Sequence, residues 1–159
     1  MPSEKSRYLA RNRGPDLPFE FQEIKERLVS LGVNHLADMI WQRTEVDEVL
    51  EKAAVVSICL RSATEMSQVR SAIDYAFHFS SDYIRYTQRG YGQILWTIKS
   101  ALEFHVEQGR YEFALSAGQY AINQGEKVLE IFEDDWDWAG PLKDLSEWLM
   151  ELKNQKILI

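Results

Sequence analysis

At 159 residues, with 45% hydrophobic and 27% charged side chains, the chain has the size and balance of one globular core rather than of a fibrous or disordered segment. No apolar run approaches the ~18–20 residues that cross a bilayer, and the opening MPSEKSRYLARNRGPDLP has basic charge without a signal peptide's apolar stretch, so no membrane and a cytoplasmic location are expected. A formal net charge of −7 makes nucleic acid an unlikely partner, because phosphate affinity is built from clustered Lys and Arg.

Cys59 is the only cysteine, which excludes an internal disulfide and any multi-cysteine zinc site; its setting in VVSICL predicts a buried, inert thiol. Prolines occur only at positions 2, 15, 18 and 141, so residues 19–140 can run as consecutive helices. Residues 1–18, polar and basic with Gly14, Pro15 and Pro18, read as a mobile tail, and residues 19–159 as a single helical domain.

The first helix is expected near Pro18, with Phe21, Ile24, Leu28 and Leu31 on one face and Gly32 as its stop. A short helix with Leu36, Met39 and Ile40 follows, capped by Asn34. Thr44 opens a third through the capping-box-like TEVD. Its run AAVVSICL also suits a buried strand, but the helical spacing of EVDEVLEK upstream favours helix, and this element is expected to be the most buried. A fourth covers about residues 65–78, with Val69, Ala72, Ile73, Ala76 and Phe77 inward, and the irregular FSSDYIRYTQRGYGQ separates it from a helix over about 93–108 that Gly109 ends.

From Tyr111 to about Phe132 the pattern gives one long helix, with Ala114, Ala117, Gly118, Ala121 and Gly125 as a stripe of small residues. Each interior glycine costs roughly 1 kcal/mol against alanine, so the stripe implies close approach of a neighbouring helix. After Gly140 and Pro141 a last helix packs through Leu142, Leu145, Trp148, Leu149 and Leu152, and Trp96 and Trp148 read as core. The fold class is all-α, a bundle of about six to seven helices.

The hairpin ALEFHVEQGRYEFALSAGQYAINQGE resembles a tetratricopeptide-type helix pair, with Gly109 and Tyr111 at the turn and Ala114 and Ala121 at the small positions. It departs from that pattern at Gly118 and in the length of its second helix, and no second copy appears at a period near 34. Over about residues 20–150 the chain resembles the helical region of bacterial SWIM zinc-finger proteins and related helical domains. That resemblance rests on ERLVSLGVNHLADMIWQRTEVDEVL, YIRYTQRGYGQ and GRYEFALSAGQYAINQGEKVLEIFEDDWDWAG. It implies a scaffold and no reaction; the finger's own zinc ligands are absent from this chain.

The acidic turn is the first candidate site. Asp135, Asp137 and Gly140 imitate the opening of a calcium loop, but Ala139 and Ser146 stand where the fifth and twelfth ligands belong, so no metal is expected. Carboxylates Asp134, Asp135 and Asp137 at a helix C-terminus oppose its dipole, and Trp136 and Trp138, two apart, point in different directions. Either both belong to the core, or one seals it while the other stays exposed to a partner; in the second case these five residues form the expected partner contact. The second candidate is the aromatic and basic set Tyr83, Arg85, Tyr86 and Arg89, able to stack bases or to pair with acidic helices. The three histidines lack metal spacing, and no phosphate-binding or nucleophile motif occurs, so no enzyme and no cofactor is expected. The expected function is protein interaction or scaffolding with a protein partner or further copies of the chain. The alternatives are a nucleic-acid accessory protein using the basic tail and Arg85/Arg89, or an acidic mimic of nucleic acid.

Overall fold

The helices begin and end where side chains can satisfy the end groups of the backbone. In the computed structural model, which describes residues 20–79, 90–132 and 136–158, these ends define α1 (Phe21–Ser30), α2 (Val33–Arg43), α3 (Glu48–Ser62), α4 (Met66–Ala76), α5 (Gly92–Glu107), α6 (Tyr111–Phe132) and α7 (Trp136–Leu158), with no strand among the described residues. The protein is an all-α, multi-helix bundle. Contacts divide it into two compact units, Met1–Arg43 and Thr44–Ile159. The tail read over residues 1–18 lies outside the described residues.

In the N-terminal unit, α1 and α2 are joined through Leu31 and Gly32, and no described side chain of either helix is buried. The second unit holds the core. α3 begins three residues later than TEVD suggested, because Asp47 is its N-cap and accepts from the Leu50 N–H at 3.0 Å; Glu48 and Glu51 then favour the positive end of the helix. Thr44 is buried and outside the helix. At the start of α4, Gln68 Oε1 accepts from the Thr64 and Glu65 N–H groups at 2.8 and 3.2 Å.

The most buried element is α5, not α3. Ile94, Leu95, Ile98, Ala101, Leu102 and His105 are all fully buried, and α5 packs against α3, α6 and α7. Gly109 ends it at φ +78° as expected. The Gly109 N–H reaches Val106 O and the Arg110 N–H reaches His105 O, both at 2.9 Å, the paired bonds of a Schellman cap. Buried His105 donates from Nε2 to Leu60 O at 2.6 Å, while its Nδ1 accepts from Arg110 Nη1 at 3.1 Å. Leu60 O can only accept and Arg110 can only donate, which fixes the tautomer. Arg110 also reaches Ala63 O at 3.2 Å, so the α5–α6 turn closes the last carbonyls of α3.

The small stripe of α6 does admit a neighbour, and that neighbour is α7. Leu149 lies over Gly118 and Leu142 over Gly125, where an added Cβ would come within 2.8 and 2.7 Å of their methyl groups. α7 starts five residues before Pro141 rather than after it. Pro141 has no N–H to offer the Asp137 carbonyl; that carbonyl lies against Gly92 of α5, so close that a Cβ at position 92 would overlap it and the Pro141 ring. What obstructs position 92 is backbone, whereas position 118 meets the mobile end of a leucine. Gly92→Ala is therefore expected to destabilise by about 3 kcal/mol, and Gly118→Ala by about 1 kcal/mol or less after the helix gain of alanine. Urea unfolding followed by circular dichroism measures both, and the reverse ranking would show that the α5–α7 approach is not what requires glycine.

Candidate functional site

The described part of the acidic turn, from Trp136 onward, is the start of α7. Asp137 is exposed in its first turn, where a carboxylate favours the helix dipole instead of opposing it. Trp138 is fully buried and donates from Nε1 to Gly125 O at 2.9 Å. Its ring meets Phe77 and Phe79 edge-on at 5.1 and 5.9 Å. That burial removes Trp138 from any partner contact and makes it a core anchor. Asp134 and Asp135 lie outside the described residues, as does the side chain of Trp136. Tyr83, Arg85, Tyr86 and Arg89 lie outside them too. Among the described residues no group of His, Cys, Asp and Glu converges to hold a metal.

The surface that sequence reasoning missed lies across α3, α4 and α5. Val49, Lys52, Val56 and Leu60 turn one side of α3 into the core, which leaves Val55, Ile58, Cys59 and Ser62 on the opposite side. Cys59 is exposed, contrary to the buried thiol expected from VVSICL. With Ser67, Ser71 and Tyr75 of α4 it lines an open groove of about 500 Å³. The groove exists because small side chains face each other along two antiparallel helices. Its polar groups are largely engaged within the chain: Ser62 Oγ donates to Ile58 O at 2.8 Å, and the Tyr75 hydroxyl donates to Glu51.

Ile58, next in sequence to the groove-lining Cys59, and Trp96 on α5 are 67% and 54% exposed. Trp96 was expected in the core. The contacts Arg61–Ser100 and Arg110–Ala63 ascend together, so α3 and α5 run in the same sense, and Ile58 and Trp96 each sit one turn before the Arg61–Ser100 bond. The missed signal was the polar row Lys99, Ser100, Glu103 and Glu107, three, four, seven and eleven residues beyond Trp96 and hence on its own face.

One end of the groove is tied by a buried lysine. Lys52 Nζ donates to Tyr75 O at 2.7 Å, near the C-terminus of α4, and lies 3.7 Å from the centre of the Tyr75 ring. Burial pushes the Lys52 ammonium down from its ordinary value, opposed by Glu48 and Glu51. The Tyr75 phenol is pushed up to about 12, chiefly by its hydrogen bond to Glu51 and then by burial. A raised folded value means that the stabilisation is complete below the ordinary phenol range near 10 and is lost as pH climbs through about 12. Absorbance titration should therefore show a late-ionising phenol that Tyr75→Phe removes, with the stabilities of the two proteins converging as pH passes 12. An unchanged titration curve would exclude the Glu51 bond in solution.

No family model, curated protein or solved structure matches the chain, so the chemistry of this surface carries the functional reading.

Proposed function

We propose that the protein is a protein-interaction module whose partner inserts an amphipathic helix into the α3–α4 groove and against Ile58 and Trp96. The carrying observation is that an open, largely apolar groove lies between α3 and α4 while Ile58 on α3 and Trp96 on α5 are more than half exposed and the core is filled without them. Exposed tryptophan and arginine, here Trp96 and, bonded to Ser100 one turn further along α5, Arg61, are residue types enriched at interface hot spots. The groove's ends carry opposite charge. Glu48 and Glu51 lie at the start of α3 and Arg61 at its end. A helix with basic residues at one end and acidic residues at the other complements that rim, and its apolar side chains three and four apart suit a cleft between two helices. The resemblance of residues 20–150 to the helical region of SWIM zinc-finger proteins supports the same scaffold role.

Affinity capture from native lysate tests this reading. A stoichiometric partner is expected with the wild-type chain, and Ile58→Asp or Trp96→Ala should each weaken its capture by about tenfold or more, with circular dichroism unchanged because both positions are exposed. Equal capture by both variants would remove this face from the function.

A further inference from the structure

A second recess, lined by none of the residues of the α3–α4 groove, opens between the C-terminal end of α4 and α6. It has a volume of about 180 Å³ and is lined by Asp74, Phe77 and His78 on one side and by Gln124, Lys127 and Val128 on the other. Val128 is buried and Phe77 half-buried, whereas Asp74, His78 and Lys127 are exposed, so the floor is apolar and the rim polar. Asp74 Oδ1 accepts from the Tyr120 hydroxyl at 2.6 Å, a bond that pushes the phenol up from its ordinary value. A neutral donor therefore orients this carboxylate without cancelling its charge. Arg70, four residues earlier, lies over the Tyr120 ring at 5.8 Å instead of pairing with Asp74. Among the described residues Lys127 makes no ion pair, and the side chains of His78 and Gln124 make no hydrogen bond.

We infer that this recess binds a free α-amino acid with an apolar side chain, its ammonium at Asp74 and its carboxylate at Lys127 and Gln124. Charge selects a zwitterion. The two formal charges of the site have opposite sign and stand on different helices, so a plain anion would meet Asp74 and a plain cation would meet Lys127. The end of α4 adds to this polarity, because the carbonyls of a helix C-terminus favour a cation. Convergent polar groups over an apolar floor are the composition of a small-molecule site. Size selects a small ligand. At about 180 Å³ the recess falls below the ~300 Å³ at which sites for drug-sized ligands begin, which suits a branched aliphatic amino acid over a nucleotide or a peptide. Phe77 and Val128 then receive the side chain. The site shares no residue with the α3–α4 groove, so it and the partner surface stand or fall independently.

Titration of the isotope-labelled full chain with L-leucine, followed through its backbone amide chemical shifts, tests the site. Shifts centred on residues 74–78 and 124–128 are expected, with a Kd on the order of 1 mM for so small a ligand in an open recess. The acid 4-methylpentanoate and the amine 3-methylbutylamine each lack one of the two charges and should bind about tenfold more weakly or worse. Lys127→Met and Asp74→Asn should weaken L-leucine by a similar factor. Asparagine keeps an acceptor for Tyr120 and both positions are exposed, so thermal unfolding of the variants should match that of the wild type. No shift at about 20 mM L-leucine, equal binding of either half-ligand, or wild-type affinity in both variants overturns the inference.

Discussion

The architecture depends on the approach of α7 to α5 and α6 at three positions without side chains. At Gly92 the contact is backbone against backbone, at Gly118 and Gly125 leucine against backbone. Dispersion falls off steeply with separation, so helices that touch at glycine gain contacts over their whole facing surfaces. Trp138 completes the joint. Its indole meets Phe77 and Phe79 edge-on, Phe79 in turn meets Tyr91, and the indole's one donor goes to Gly125 O. The cost of glycine in α6, roughly 1 kcal/mol per position, is offset where this packing forms.

With that half of the core closed, α3 and α4 are held from their ends. His105 and Arg110 engage the carbonyls at the C-terminus of α3, and Lys52 engages a carbonyl at the C-terminus of α4. Each is a donor placed where a helix has acceptors left over. Held at both ends, the two helices need no large side chains between their outer faces. Alanine, serine and cysteine suffice there, and the groove is the space they leave.

Much of this was legible from periodicity. The bounds of α6, the cap at Gly109 and the close-approach role of Gly118 and Gly125 follow from spacing and from the known cost of glycine. Orientation was less legible. An apolar run such as AAVVSICL has no polar face to say which side turns inward, so Ile58 and Cys59 read as core until α4 and α5 took the other side. Trp96 had such a face, in Lys99, Ser100 and Glu103, but its size outweighed that signal. Pro141 read as a helix start because its missing N–H is ordinarily a defect inside a helix, and only the position of Gly92 shows where the affected carbonyl goes. The acidic turn misled in the opposite direction: assigned to the end of α6 its Asp137 opposed a dipole, and assigned to the start of α7 it favours one.

The order of helices in the second unit also bears on how it forms. α5, α6 and α7 follow one another with links of three residues each and contact one another pairwise. Such contacts close short loops and have low entropy cost. The α3–α5 contact closes across a longer stretch that includes α4. The hairpins α3–α4, α5–α6 and α6–α7 each close over a three-residue link and so form at low entropy cost, whereas the extensive α3–α5 contact joins two of them and is the dearer closure.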